Sequence, residues 1–143
     1  MMNGKMKIGK TMSGKTTSNT FEHRFSFCDL FELQEENQQK MLASGKYDDF
    51  KSAGTNTVPV DDVKLMSYHI QQLMSEIGEV LEADKRWKNF RNRKYDKDAK
   101  LEEIADCFIV LMNIAMFSGF DGDELADAIA KKAMEVYERL MSE

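Results

Sequence analysis

Leu101-Glu102-Glu103-Ile104-Ala105-Asp106-Cys107-Phe108-Ile109-Val110-Leu111-Met112-Asn113-Ile114-Ala115-Met116-Phe117-Ser118-Gly119 runs without a proline or turn residue until its end. It reads as a helix that opens near Asp98 and stops at Gly119, with glycine in its usual place past a C-terminus. After Asp106 the stretch is apolar nearly all round, and a helix without a polar face is expected to be buried. Asp106 and Asn113 lie seven residues apart on one face and are expected to look inward. Ionised carboxylates at the mouth of a buried helix are costly unless they are paired or hold a metal. Acids in the first turns of a helix also have an ordinary explanation, the helix dipole. Taken alone, Glu102, Glu103 and Asp106 need nothing more.

The same device occurs a second time. Glu76-Ile77-Gly78-Glu79 has the i, i+3 spacing of Glu103 and Asp106, so each pair puts two carboxylates on one helix face. Its helix is expected to start after Pro59, capped by Asp61 or Asp62, and to reach about Trp87. Val63, Met66, Ile70, Leu73, Ile77 and Val80 read as its core stripe, with His69, Gln72, Glu76, Glu79 and Ala83 alongside. Gly78 costs about 1 kcal/mol of helix propensity against alanine and leaves room for another backbone.

Packed antiparallel, the two helices bring four carboxylates together. Two unit charges about 4 Å apart repel by roughly 4 kcal/mol at an effective dielectric near 20. Such a cluster calls for a cation. An all-carboxylate donor set suits Mg²⁺, with Mn²⁺ as the alternative, better than zinc.

Two further helices complete the pattern. The first runs from about Ser26 or Asp29 to Ser44, with Leu30, Phe31, Leu33, Asn37 and Met41 on a partly apolar face and Gly45 as its stop. A linker over residues 45–59 follows, with a short turn at 47–50. The last helix begins with the capping box Asp121 to Glu124 and continues through Leu125, Ile129, Ala133, Val136 and Leu140. With a single proline in the chain, the fold class is all-α, a four-to-five-helix bundle.

The chain has 143 residues, enough for one domain. Residues 1–20 carry Lys5, Lys7, Lys10 and Lys15 without an acid and read as a flexible basic tail, leaving 21–143 as one helical domain. Residues 4–11 and 9–16 fit the spacing of a phosphate-binding loop. That loop needs a buried strand before it, and no apolar segment precedes Gly4. The whole chain carries a net charge of −5, which leaves about −9 outside the basic tail, so binding of nucleic acid by the surface as a whole is not expected. One basic run interrupts it: Lys85, Arg86, Lys88, Arg91, Arg93, Lys94 and Lys97, with Asp96 as the single acid. Beside the carboxylates it reads as a basic lip suited to a polyphosphate. Cys28 and Cys107 are read as buried free thiols, since two cysteines this far apart make neither a metal motif nor a disulfide framework. Residues 107–117 are too few to span a bilayer, and no apolar signal segment is evident, so a cytoplasmic protein without membrane partners is expected.

Glu-x-x-Glu at 76–79 followed by Glu-x-x-Asp at 103–106 resembles the signature of the all-α NTP pyrophosphohydrolases, which include the MazG-like enzymes and the dimeric dUTPases. Further residues resemble the dimeric dUTPase branch. Leu30-Phe31-Glu32-Leu33-Gln34-Glu35 is similar to its first-helix motif, Trp87-Lys88-Asn89-Phe90 to its aromatic-Lys-x-aromatic segment, and Lys132 with Arg139 to its late phosphate-binding pair. The resemblance covers about residues 28–140. Two departures bear on base selectivity more than on the chemistry: Ala133 and Val136 stand where the branch usually has asparagines, and Phe90 stands where it has tryptophan.

The resemblance implies a Mg²⁺-dependent enzyme cleaving a nucleoside triphosphate, dUTP first among candidates, to the monophosphate and pyrophosphate. Glu76, Glu79, Glu103 and Asp106 would be the metal ligands and catalytic groups, one glutamate doubling as general base. Gln34 would read the base, with Trp87 and Asn113 also on the substrate, and Lys88, Lys132 and Arg139 would meet phosphate. It implies a homodimer, with a tetramer as the larger form. Two alternatives stand beside it: a MazG-like house-cleaning enzyme for dCTP or modified dNTPs, and a non-catalytic helical interaction module whose acids are surface charges.

Overall fold

Four α-helices and no strand make up the described residues, 25–50, 62–88 and 96–142, of a computed structural model: α1 (Phe27–Ala43), α2 (Val63–Asp84), α3 (Lys97–Phe117) and α4 (Gly122–Met141). The all-α expectation holds. The basic tail, most of the 45–59 linker with Pro59 and Asp61, and the connector from Asn89 to Tyr95 lie outside these residues. Expectations resting on them, including Phe90 and the phosphate-loop spacing, lie outside them too.

Local chemistry sets the helix ends. Ser26 and Asp29 form a reciprocal capping box on α1, and Asp121 and Glu124 form another on α4. Asp62 and Asp96 accept backbone N–H groups at the starts of α2 and α3. Gly45 and Gly119 take positive φ just past α1 and α3, where a side chain would be strained. α2 stops three residues short of Trp87: Lys85 turns left-handed with φ 54°, which places Trp87 in the turn beyond.

α2 and α3 run antiparallel and form the main packing pair. Asp84 meets Lys100 at one end across 2.6 Å, and His69 stacks on Phe117 at the other, with ring centroids 4.6 Å apart. α1 packs against α3 and against α4. The core gathers at the C-terminal half of α3. Phe31, Met112, Ala115 and Met116 form one cluster; Leu42, Tyr47, Leu65 and Phe117 form a second. Burying one such side chain is worth roughly 1.5–3 kcal/mol. Tyr47, in the turn after α1, sets its ring edge-on to Tyr68, His69 and Phe117. The acidic half of the α2–α3 pair is therefore held in place by packing at the opposite end.

Several burial expectations are corrected. On α2 the buried residues are Leu65 and His69, while Val63, Ile70 and Ile77 of the expected core stripe are exposed. α3 is not covered all round: Phe108, Ile109 and Leu111 are open. No residue of α4 is buried, although its stripe is apolar as expected. The common cause is coverage. Periodicity marks a face as apolar, but α1 and one face of each neighbour are all that cover it among the described residues. The two cysteines are free as expected but only half-buried.

Gly78 meets nothing within 4 Å of where a Cβ would stand, so no backbone of this chain exploits it among the described residues. The chain bends by 115° between α3 and α4. No single described helix is long and apolar enough to cross a membrane.

Candidate metal centre

The α2–α3 register places Glu76 opposite Glu103 and Asp106, with one carboxylate oxygen from each within 4.8 Å of the others. Glu79 lies beside this trio, close enough that its carboxylate raises Glu103. The two sequence-distant acid pairs thus converge from two helices. Glu76 and Glu103 are half-buried, while Glu79 and Asp106 reach the surface, so the cluster opens to solvent on one side.

Electrostatics records the crowding. Partial burial raises the Glu76 carboxyl above its usual 4.5, and the charges of Glu79, Asp106 and Glu103 raise it further. Glu103 is raised for the same reasons, desolvation first, then Glu79, Asp106 and Glu102. Cys107, next along α3, is pushed up by burial and by Glu76 and Asp106. No cation of the described chain neutralises the trio: Lys100, a turn before, is engaged with Asp84. The donor set fits a hard divalent ion. Oxygens on one octahedral Mg²⁺ are about 3 Å apart when adjacent and about 4.2 Å when opposite, so rotamer changes that draw these acids closer would bring them to ligating range.

Two turns along α3 from Asp106, Asn113 is buried and accepts a 2.7 Å hydrogen bond from Nε2 of Gln34 on α1. Asn37 in turn donates to Oε1 of Gln34 across 3.3 Å. Both amides selected from the sequence therefore meet, between α1 and α3 and two turns along α3 from the acidic cluster.

The expected phosphate and base contacts are more scattered. Trp87 is exposed and donates its indole N–H to the carbonyl of Leu81, 2.7 Å away. Lys88 reaches back to Glu82 and stands 5.1 Å from the Trp87 ring centre. Lys132 pairs with Glu135 one turn along α4. Arg139 is on the same helix, which packs on α1 rather than along α2. Within one chain, Lys132 and Arg139 are not brought to the acids.

Residues missed from the sequence form a polar seam around the second core cluster. Gln38 is buried and accepts a hydrogen bond from the Tyr47 hydroxyl. His69 is fully buried, and neither ring nitrogen has a hydrogen-bond partner. Burial pushes its imidazole down to about 4; nearby Gln72 opposes part of the shift from outside hydrogen-bonding geometry. The one sequence signal was position: Gln34 and Gln38 are i, i+4 on α1, and His69 lies two turns before Glu76.

No known protein family, curated protein or solved structure matches the chain.

Proposed function

We propose that this chain is a Mg²⁺-dependent nucleoside triphosphate pyrophosphohydrolase, with dUTP as its preferred substrate and Mn²⁺ as a substitute ion. The reading rests on one observation: carboxylate oxygens of Glu76, Glu103 and Asp106 converge within 4.8 Å across two antiparallel helices, with Glu79 beside them. Their mutual repulsion is the term that a divalent ion relieves.

Bound Mg²⁺ would supply Lewis-acid polarisation of phosphate oxygens and lower the pKa of a coordinated water. The chain's own part is to hold and orient. The four acids would hold the ion, and one glutamate would take the proton of the attacking water. Water would attack one of the two phosphorus atoms flanking the α–β bridging oxygen, the bond from that phosphorus to the bridge would break, and the bridging oxygen would leave with the other phosphorus, giving the monophosphate and pyrophosphate. Gln34, held by Asn113, would present its amide to the base, while Trp87 keeps an exposed ring at the Asp84–Lys100 end of the α2–α3 pair, away from that amide within one chain. Lys88 meets phosphate once released from Glu82. Lys132 and Arg139 stand apart from the acids of their own chain, so this reading gives them a phosphate role only in the assembled homodimer, or in a tetramer of it.

Pyrophosphate release from a panel of nucleoside triphosphates with Mg²⁺ tests the reading, with dUTP expected to turn over fastest. Equal, poor turnover of dUTP and dTTP removes the dUTP assignment. Preference for dCTP or a modified dNTP supports the MazG-like alternative.

A second reading, a non-catalytic helical interaction module, is favoured by the large apolar side chains left open on α2, α3 and α4. Calorimetry that detects no Mg²⁺ or Mn²⁺ binding, alone or with a non-hydrolysable dUTP analogue, decides for it.

A further inference from the structure

His69 on α2 is enclosed by rings rather than by hydrogen-bond partners. Phe117 of α3 stacks on it, with centroids 4.6 Å apart and planes 17° from parallel. Tyr47, from the turn after α1, and Tyr68, its neighbour on α2, stand edge-on at 5.6 Å and 5.3 Å. Leu42 of α1 and Leu65 of α2 belong to the same cluster. The titratable groups facing the imidazole are therefore two phenols, and the Tyr47 hydroxyl is already given to Gln38, with burial pushing it up to about 12. No charged group of the described residues acts on His69: burial lowers its pKa, opposed by Gln72 alone.

The walls of this cage are not equally fixed. Phe117 belongs to the α2–α3 pair, the main packing contact of the fold, which Asp84 and Lys100 tie again at its other end. Tyr47 belongs to the turn of residues 45–50, whose backbone hydrogen bonds run within itself, from Asp48 to Gly45 and from Phe50 to Tyr47, and back to α1 from Lys46 to Met41. Rings hold this turn to α2: Tyr47 against Tyr68 and His69, and Phe50 against Tyr68 with centroids 4.4 Å apart. A neutral imidazole carries one N–H and one lone pair; a proton taken from water makes it a cation with two N–H donors. The closed cage gives that cation neither a facing carboxylate nor access to water.

We propose that His69 is an acid-released latch on the turn of residues 45–50: with a proton on its second ring nitrogen, the imidazole turns to water, and Tyr47 and Phe50 lift from α2 while the α2–α3 pair stays packed. The turn yields because it is the wall whose departure hydrates the cation without parting two helices. Tyr47 then releases Gln38, which lies one turn beyond Gln34 on α1, so the opening reaches the helix that carries the buried amide pair. His69 is seven residues from Glu76, and the latch stands whether or not the acids bind an ion. An exposed imidazole titrates near 6.5 and the caged one near 4, so each tenfold rise in proton concentration between them favours the open form tenfold, about 300-fold in all.

NMR of the full chain with carbon-13-labelled tyrosine rings, followed from neutral pH down to about 4 with circular dichroism in parallel, tests this. The Tyr47 and Tyr68 signals are expected to move toward that of the exposed Tyr137, with a midpoint between 6.5 and 4 and the helical signal retained. His69→Phe keeps a ring on Phe117 and removes the transition. Phe50→Ala weakens the clasp without touching the imidazole, and moves the midpoint upward toward 6.5. Tyrosine signals that change only together with loss of helix report global unfolding and overturn the proposal, as do signals that stay fixed down to about pH 4. The same transition in His69→Phe assigns the trigger to another group and overturns it as well. An unmoved midpoint in Phe50→Ala overturns the part given to the turn.

Discussion

Gln34 on α1 donates to Asn113 on α3 across 2.7 Å, and both side chains are buried. Two amides from distant parts of the chain thus satisfy each other between α1 and α3. Such a pair is costly to break from one side, because the survivor keeps its desolvation penalty without its partner.

Gln34→Ala is therefore expected to destabilise the protein by about 1–3 kcal/mol in denaturant unfolding. Asn113→Ala behaves alike, and the double variant loses less than the two singles together, with a coupling of about 0.5–3 kcal/mol. Strict additivity would show that the contact does not form. If the amide also reads the base, both variants narrow the difference between dUTP and dCTP turnover.

Glu76→Gln removes one charge from a repulsive cluster. Without divalent ions its melting temperature should exceed that of the unaltered protein. Mg²⁺ should then raise the melting temperature of the unaltered protein only, by the equivalent of about 2.7 kcal/mol at a hundredfold excess over Kd. An equal response of both proteins to Mg²⁺ would sink the metal assignment.

The same cluster sets a pH dependence. Glu76 and Glu103 take up protons above their usual 4.5, and only the ionised groups ligate well. Mg²⁺ affinity, followed by titration calorimetry, should decline as the pH falls toward 4.5 from above, before ordinary carboxylates titrate. Affinity that stays flat down to that value contradicts the raised carboxyls.

His69 gives a separate signature. Its imidazole is held near 4 against a usual 6.5, so the unfolded chain binds the proton more readily between these values. Stability is full above about 6.5 and is lost as the pH falls toward 4, by on the order of 3 kcal/mol. His69→Phe keeps a ring on Phe117 and removes two unpartnered nitrogens. It should stabilise the protein at neutral pH and flatten the loss between pH 6.5 and 4. An unchanged slope would assign that loss to other groups.

Asp84 ties the end of α2 to the start of α3. Arg86 and Lys100 hold its carboxyl well below the usual 3.8, so its contribution persists above that value and fades as the pH falls below it. Lys100→Met should move the midpoint of acid unfolding upward and reduce its sensitivity to salt. A midpoint that does not move would mean that Arg86 alone supports Asp84.

Much of this molecule follows from local order along the chain. The cap at Asp121, a cap at Asp61 or Asp62, the stops at Gly45 and Gly119, and the i, i+3 acid pairs depend on neighbours within a turn or two, so the sequence alone determines them, and the structure selects Asp62. It also determines that α2 carries an apolar stripe beside a polar one. Which stripe turns inward was settled only by tertiary packing. On α2, His69 and Glu76 face α3 while Ile70 and Ile77 stay open, because the register that stacks His69 on Phe117 and pairs Asp84 with Lys100 leaves no other rotation. Likewise, the spacing of Lys132 and Arg139 is visible in the sequence, but their distance from the acids depends on the 115° bend before α4. Periodicity records what a helix has to bury; only the positions of the other helices decide what buries it.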